Sequence, residues 1–250
     1  MKYKAIVSSD WNECLAPSGP FDPISFTYPD LEPELSDLFV KYTGNQISLS
    51  EAAHRISLLV PTPITEEQMD AYLDASFATY SGVPDLIEWL LSHDIFFMLN
   101  TTGTQGYFQR AFARNLIPAV PIVAAGPIIR FPGIAGDLRY MYQVVETRHK
   151  PKNTESVMNV LGIHPSRVVI IGDSGGDGPH FEWGFSVGAY LISSMTKHSL
   201  SNFCEQRGIA INKKFGVSYL PGEKRDRTRE MQANFLELTE LISAVLGLQL

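Results

Sequence analysis

Two aspartates on a glycine-rich turn are the residues of this sequence best suited to chemistry. Residues 168–178, VVIIGDSGGDG, pass from β-branched apolar side chains directly into Asp173 and Asp177. A short apolar run bounded by turn residues predicts a buried strand of a parallel sheet, and such sheets bind ligands beyond the carboxyl ends of their strands. Carboxylates four positions apart on that turn can share one hard cation, which prefers oxygen ligands. The alternative is a strand and turn whose acids are only solvated.

Asp10 is a third candidate, because it ends another short apolar run at residues 5–9. A carboxylate there can act as a nucleophile, since carboxylates form covalent phospho-aspartate intermediates. Asp10, Asp173 and Asp177 together can hold Mg²⁺, which would offset the charge of a bound phosphate and polarise it. Without a cation, three converging carboxylates would repel one another and raise their own pKa values.

Two further places in the chain carry groups that suit a phosphate anion. Thr101, Thr102 and Gly103 follow the apolar run at residues 95–99 and offer hydroxyl and backbone N–H donors. Lys150 stands at the start of a predicted helix and supplies a point charge for the same anion. Each signal is weak alone, but their order along the chain predicts a phosphate site.

The segments that would position these residues alternate between strands and helices. Strands are predicted at residues 5–9, 95–99, 120–125, 140–145, 168–171 and 189–193, and helices at 34–42, 83–91, 108–112, 150–161 and 229–246. Gly133 and Gly136 predict loops between the third and fourth strands. The alternation predicts an α/β fold with a doubly wound, Rossmann-like parallel sheet and right-handed crossovers.

Residues 17–80 depart from this alternation. Five prolines between residues 16 and 33 predict a linker. Two capping boxes, Ser48 with Glu51 and Thr65 with Gln68, then predict the starts of helices. We therefore predict a core of residues 1–16 and 81–250, with a small helical unit of residues 17–80 inserted after the first strand.

The composition is that of an ordinary globular protein and argues against several functions. The 250 residues are 44% hydrophobic and 19% charged, with a formal net charge of −7. An acidic chain lacks the basic patch of a nucleic-acid surface, and residues 224–230, KRDRTRE, are basic but interleaved with acids, which predicts an exposed helix start. No apolar run is long enough for a membrane span or a signal peptide, and two cysteines make no disulfide framework. These features predict a cytoplasmic protein with no nucleic-acid or membrane partner.

Taken in order, the motifs resemble those of the haloacid-dehalogenase (HAD) superfamily. DWNECL at residues 10–15 is similar to the family's D-x-D-x-T-L, and GDSGGD at residues 172–177 is similar to its fourth motif. Thr101 stands where the second motif is expected and Lys150 where the third is expected. The spacing of Lys150 from the acidic turn and the helical insert resemble the phosphoserine-phosphatase-like branch.

The resemblance implies a fold, a reaction and a role for each motif. It implies that Asp10 is the nucleophile, that Thr101 and Lys150 bind the phosphoryl group, and that Asp173 and Asp177 hold Mg²⁺. It further implies that residues 17–80 form a cap and that the substrate is a small phosphorylated metabolite. The resemblance covers residues 1–15 and roughly 82–195 of the chain.

Asn12 departs from the family pattern at a position that matters for catalysis. Phosphatases of the family usually carry a second aspartate there, which protonates the leaving group, and an amide cannot transfer a proton in that way. General acid–base catalysis is typically worth about 10²–10⁴-fold, so hydrolysis of an alkyl phosphate should be slow. The metal site is expected to be unaffected, because the resemblance implies that this residue binds Mg²⁺ through its backbone carbonyl. Glu13 is a candidate replacement acid, although its side chain is expected to point elsewhere.

Three interpretations of Asn12 stay open. In the first, which we favour, the protein is a phosphatase whose leaving group needs little protonation or takes its proton from the cap or the substrate. In the second, it catalyses a phosphonatase-like or dehalogenase-like reaction, although Asp173 and Asp177 form a metal pair that dehalogenation does not need. In the third, it is weakly active or inactive and binds a phosphorylated ligand.

Bulky residues beside the motifs are predicted to have packing roles. Trp11 is expected in the core, and Tyr42 is expected to pack within the helical unit. His180 lies three positions after Asp177 and is expected to be exposed to solvent.

Overall fold

The fold is a seven-stranded sheet flanked by helices, seen in a computed structural model that describes residues 3–44, 46–132 and 140–247. The strands are β1 (Ala5–Ser9), β2 (Ile95–Thr104), β3 (Ile122–Gly126), β4 (Tyr140–Gln143), β5 (Val168–Gly172), β6 (Tyr190–Thr196) and β7 (Lys213–Ser218). The helices are α1 (Asp22–Thr27), α2 (Glu32–Thr43), α3 (Leu49–Leu59), α4 (Glu66–Ser76), α5 (Val83–Ser92), α6 (Gln105–Ala113), α7 (His149–Leu161), α8 (Gly178–Val187), α9 (His198–Gln206), α10 (Arg227–Glu230) and α11 (Glu237–Leu246). Over the residues described, no helix combines the length and the apolar character needed to cross a membrane.

The strands are all parallel and lie in the order β4-β3-β2-β1-β5-β6-β7. Every residue of β1 and β5 is buried, which explains why both strands are short runs of mostly apolar residues. The strand order reverses at β1, because β2 lies on one side of it and β5 on the other. The crevice beyond the carboxyl ends of β1 and β5 is therefore the switch point at which doubly wound sheets bind ligands. The predicted fold class is confirmed.

Helices α1–α4 lie between β1 and α5 in the chain and make several contacts with the core. Arg110 on α6 binds Glu66 and Asp70 on α4, and the Ser50 hydroxyl on α3 donates a hydrogen bond to the Val145 carbonyl (2.9 Å). The prolines at residues 17–33 do not form only a linker, because α1 begins within them. The assignment of residues 17–80 as a separate cap stays a prediction.

The C-terminal end of β2 and the predicted C-terminal helix differ from the sequence prediction. β2 continues beyond residue 99 to Thr104, so Thr101 lies within the end of the strand. The helix predicted at residues 229–246 is divided into α10 and α11. The division occurs because Asn234 pairs with Ser81 in an isolated bridge and Phe235 stacks on Tyr80, with 5.7 Å between ring centroids.

The edge strand β7 and the preceding helix α9 were not predicted. β7 has the sequence KKFGVS, and only Phe215 among its residues is buried. An edge strand with one buried residue carries no apolar run, so its sequence gives little signal. Gly133 and Gly136, which predicted loops, lie outside the described residues.

Candidate active site

Three carboxylates meet at the switch point of the sheet. Asp10 follows β1, Asp173 follows β5, and Asp177 lies one turn later, just before α8. One oxygen atom from each lies within 4.8 Å of the other two, and all three side chains are buried. The backbone N–H of Asp10 donates to the Ile171 carbonyl (2.9 Å), so the end of β1 is fixed against β5.

The glycine-rich turn determines where Asp177 lies. Its Oδ2 atom accepts hydrogen bonds from the backbone N–H groups of Asp173 (2.9 Å) and Ser174 (3.2 Å). A Cβ atom added at Gly172 would lie 2.6 Å from Asp177 Cγ, so a side chain at residue 172 would displace this carboxylate. The turn therefore holds both acids at the same end of β5.

Lys150 supplies positive charge to this cluster from the first turn of α7. Its Nζ atom lies 2.6 Å from Asp177 Oδ1 and 3.1 Å from Asp10 Oδ2. Burial disfavours the charged form of Lys150 and would lower its pKa. The charges of Asp10 and Asp177 outweigh the effect of burial, so the pKa of Lys150 is raised. Burial alone would raise the pKa of Asp177, but the charge of Lys150 and its hydrogen bond hold this pKa below its ordinary value. Burial and the Asp177 charge raise the pKa of Asp10, and Lys150 opposes them only in part.

A buried polar network fixes the start of α7. The Asn100 Nδ2 group donates to the Lys150 carbonyl (2.8 Å) and to the Thr154 hydroxyl (3.1 Å). His180 Nε2 lies 2.9 Å from the same hydroxyl, and the His180 side chain is buried. The expectation that His180 is exposed to solvent is wrong, because α8 turns this face inward onto the network. Burial, with a smaller contribution from Lys150, lowers the pKa of His180 to about 3, so its imidazole is neutral near pH 7.

Asn12 and Thr101 lie next to each other, and Thr101 also hydrogen bonds with the Asp10 side chain. The Thr101 hydroxyl donates to Asn12 Oδ1 (3.3 Å), and Asn12 Nδ2 donates to the Ser18 carbonyl (3.3 Å). The Gly103 N–H donates to Thr101 Oγ1 (3.1 Å), and a Cβ atom at Gly103 would lie 2.2 Å from Asn12 Oδ1. The Asn12 amide therefore packs directly against the backbone that is predicted to hold phosphate.

Comparison with known proteins identifies this fold. No protein-family model and no curated protein matches the sequence. A solved structure of phosphoserine phosphatase with a phospho-aspartyl intermediate analogue matches with a TM-score of 0.67 and 15% identity, covering 96% of this chain and 99% of that chain. The chain has the same fold as phosphoserine phosphatase. The fold implied by the motifs is thus confirmed.

Other solved structures share this fold. A phosphoserine phosphohydrolase-like protein from Francisella tularensis matches with a TM-score of 0.57 and 14% identity, covering 95% of this chain and 99% of that chain. A HAD family hydrolase from Salmonella enterica matches with a TM-score of 0.59 and 14% identity, covering 85% of this chain and 67% of that chain.

A second set of charges lies beside Asp173. Lys197 Nζ lies 2.9 Å from Asp173 Oδ2 and also contacts the Glu13 carboxylate, which Arg225 binds from another direction. Burial would raise the pKa of Glu13, but Lys197 and Arg225 lower it below its ordinary value. Glu13 is therefore an ionised partner of two cations and does not replace the missing acid. Lys197 was missed, although it directly follows β6 at the same edge of the sheet as Asp10.

The exposed helix start predicted at residues 224–230 is wrong for two of its residues. Glu230 is fully buried, and Arg225 Nη2 lies 2.6 Å from its carboxylate. The hydroxyls of Tyr80 (2.7 Å) and Tyr219 (2.8 Å) also donate to Glu230. A buried carboxylate is stable here because three donors satisfy it. Tyr80 is 150 residues away in sequence, so the segment alone does not show that Glu230 is buried.

Tyr42 on α2 reaches the predicted phosphate-binding residues from the helical insert. Its hydroxyl hydrogen bonds with the Thr102 side chain, and burial raises its pKa above the ordinary value. A Cβ atom at Gly176 would lie 2.8 Å from the same hydroxyl oxygen. Tyr42 thus contacts both sides of the candidate site, in addition to its predicted packing. Trp11 is fully buried, as expected for a core residue.

The acidic cluster suits a hard divalent cation. Asp10, Asp173 and Asp177 offer closely spaced oxygen atoms, the donor type that Mg²⁺ prefers. Burial and the other two carboxylates raise the pKa of Asp173 well above its ordinary value, while Lys197 compensates only in part. A cation at this point would favour the ionised carboxylates, so the residues present fit Mg²⁺.

Proposed function

We propose that this protein hydrolyses a small phosphate monoester by way of a phospho-aspartate on Asp10. The observation that carries the proposal is the meeting of Asp10 with Lys150 and with the two acids Asp173 and Asp177 at the switch point of the sheet. The matching phosphoserine phosphatase structure holds a phospho-aspartyl intermediate analogue, which supports the same role for Asp10.

In the proposed reaction, a carboxylate oxygen of Asp10 attacks phosphorus, and the bond from phosphorus to the leaving oxygen breaks. Lys150 balances the negative charge that the phosphoryl group brings to this buried position. The hydroxyl and backbone N–H groups of Thr101, Thr102 and Gly103 bind the phosphoryl oxygens. Water then hydrolyses the phospho-aspartate, which restores Asp10 and releases inorganic phosphate.

The same residues would hold the cofactor. Asp10, Asp173 and Asp177, with the backbone carbonyl of Asn12, would bind Mg²⁺. When bound there, Mg²⁺ supplies positive charge that offsets and polarises the phosphate.

In this proposal, residues 17–80 are a cap that closes over the site. Tyr42 already contacts Thr102, so closure brings α2 against the phosphate and excludes water from it. The free cysteines Cys14 and Cys204 are both buried, and we place the protein in the reducing cytoplasm on that ground.

Asn12 favours one other function, the binding of a phosphorylated ligand without turnover. Its amide cannot protonate a leaving group, and Glu13 is bound by two cations. A phosphonatase-like or dehalogenase-like reaction also needs no acid at position 12, although dehalogenation leaves Asp173 and Asp177 without a role.

Release of inorganic phosphate from small phosphate esters and one acyl phosphate, measured with and without Mg²⁺, tests the proposal. We expect turnover that requires Mg²⁺ and that Asp10→Asn abolishes. Asp37→Asn is the matched control, because Asp37 is exposed on α2 and pairs only with Lys41 across the described residues. Turnover by Asp10→Asn would contradict the proposed nucleophile. Ligand binding without turnover in the wild type, and turnover in Asn12→Asp, would favour the binding function.

A further inference from the structure

An apolar cavity lies next to the predicted phosphate-binding residues, between the helical insert and the core. Its volume is about 240 Å³, and Thr102 forms part of its wall. Phe21, Leu49 and Ala53 line it from the insert, and Ile128 lines it from the core. Because Thr102 belongs both to this wall and to the predicted phosphate-binding residues, the cavity adjoins the predicted phosphate position.

The wall of the cavity suits an uncharged group. Among the lining residues in the described part of the chain, none carries a charge, and the hydroxyls of Ser50 and Thr102 are its polar side-chain groups. An ammonium or carboxylate placed there would lose hydration without gaining a charged partner, which is strongly unfavourable. An amino-acid phosphate is therefore a poor fit. A cavity of about 150 Å³ is enough to bind benzene in another protein, so this one accommodates a single substituted ring.

The groups around Asp10 point to the acidity of the leaving group. The Asn12 amide is not an acid, the Glu13 carboxylate is turned to Lys197 and Arg225, and the Tyr42 hydroxyl hydrogen bonds with the Thr102 side chain. The leaving oxygen must then depart as an anion. A phenol with a pKa near 10, like that of tyrosine, departs far more readily than an alkyl alcohol, which is a much weaker acid.

We propose that the substrate is the phosphate monoester of an aryl alcohol, with the aromatic ring in the cavity lined by Phe21, Leu49 and Ala53. This assignment rests on the proposed function. The Asp10 carboxylate forms its bond to phosphorus as the aryl oxygen leaves with the electron pair as a phenolate, which takes a proton from solvent. Water then hydrolyses the phospho-aspartate to free Asp10 and inorganic phosphate.

The first test is kcat/KM for a series of substituted phenyl phosphates, with phosphoserine and an alkyl phosphate as polar and apolar comparisons. We expect kcat/KM to fall steeply as the pKa of the phenol rises, and phosphoserine to be at least 100-fold poorer than phenyl phosphate. Asn12→Asp should make kcat/KM depend less on the pKa of the phenol and should allow hydrolysis of the alkyl phosphate. A flat dependence in the wild type, or a preference for phosphoserine, would overturn the assignment and leave the proposed phosphatase function intact.

The second test changes the cavity itself. Ala53→Leu fills part of it from a half-buried position on α3, and we expect KM for phenyl phosphate to rise at least tenfold. His54→Leu is the matched control, because His54 is the exposed neighbour on the same helix and is not part of the cavity wall. Equal KM values for the two variants would overturn the placement of the ring.

A binding measurement separates failure of the substrate class from failure of the enzyme function. Phenylphosphonate, which cannot be hydrolysed, should raise the melting temperature of the Mg²⁺-loaded wild type more than 2-amino-3-phosphonopropanoate does. If no ester is hydrolysed, the proposed function and the aryl ester substrate both fall, and phenylphosphonate binding still decides whether the cavity takes an aromatic ring. Weaker stabilisation by phenylphosphonate than by the amino acid analogue would overturn the cavity assignment whatever the turnover.

Discussion

Each carboxylate of the candidate site forms an ion pair with a lysine side chain. Asp10 and Asp177 share Lys150, while Asp173 and Glu13 share Lys197. Removing one partner of a buried ion pair leaves an uncompensated charge, so these side chains depend on one another for their ionised state. The cluster is therefore prepared for an anionic substrate only as a complete set.

His180 should make the stability of the protein depend on pH. Its pKa is lowered to about 3 in the folded protein, against about 6.5 in the unfolded chain, so between these values only the unfolded chain binds the proton. The free energy of unfolding should consequently fall as pH falls below 6.5, by up to about 1.4 kcal/mol per pH unit from this residue. Urea unfolding of the wild type and His180→Gln between pH 4 and 7 measures the contribution.

The control for this prediction is His54→Gln on the exposed surface of α3. His180→Gln should reduce the slope of the pH dependence, and His54→Gln shows the effect of the same substitution at an exposed position. Parallel curves for the wild type and His180→Gln would show that the buried imidazole does not stay neutral in the folded protein.

Sequence patterns identify residues whose neighbours are close in the chain or that end apolar strands. Asp10 and Asp177 were found in this way, because each terminates a strand or its turn. The burial of His180 and the partners of Glu13 could not be predicted, because their surroundings come from elements far away in sequence. Glu13 is 184 residues from Lys197 and 212 residues from Arg225.

At the scale of secondary structure, helix α6 of the core and helix α4 of the insert are joined by charges. Arg110 makes two hydrogen bonds to Asp70, and its Nη1 atom lies 2.6 Å from Glu66. Arg114 on α6 also contacts Asp74 on α4. These helices lie on either side of the junction that must open if residues 17–80 move as a cap.

Arg110→Gln should weaken this junction without unfolding the core. We expect a loss of about 1 kcal/mol, and faster amide hydrogen exchange in α4 than in β1 or β5, because partly exposed ion pairs contribute modestly. Hydrogen exchange followed by mass spectrometry measures both effects. Arg55→Gln is the control, since Arg55 pairs with Glu51 inside α3 and does not bridge to the core. Equal exchange in α4 for both variants would contradict a role for Arg110 in holding the two units together.

At the scale of the whole molecule, Arg225 links the segment after β7 to both connections of the insert. It contacts Glu13 and the Pro17 carbonyl on the outgoing connection, and the Tyr80 hydroxyl (2.9 Å) on the returning one. Its other partner is the fully buried Glu230. A single guanidinium thus fixes three parts of the chain, two of them close to the candidate active site.

Arg225→Met should destabilise the protein by about 3–5 kcal/mol, because it leaves Glu230 and Glu13 buried without this cation. Thermal and urea unfolding measure the loss. Arg229→Met is the control, since Arg229 forms an exposed pair with Glu223 and should change stability by less than about 1 kcal/mol. Similar losses in the two variants would show that the buried network does not contribute to stability in the way its contacts suggest.

The overall topology could be predicted because alternating strands and helices allow few arrangements of a parallel sheet. The prolines and capping residues predict the insert, and its bounds stay a prediction. The part after β6 was predicted least well, since β7 lies at an edge and α10 is only one turn long. Such short or exposed elements are fixed by tertiary contacts such as those of Arg225, which local patterns do not contain.

The position of β1 at the centre of the sheet has a consequence for how the protein folds. Ile6 pairs with Phe96 on one side and Val168 on the other, so neither neighbour of β1 is close in sequence. Closing such long loops is slow, and until both pairs form, β1 has open edges that can pair with other chains. During translation, the backbone N–H of Asp10 can form its hydrogen bond only after Ile171, whose carbonyl accepts it, has been synthesised. We therefore expect slow refolding and a demand for chaperones that rises with the rate of synthesis.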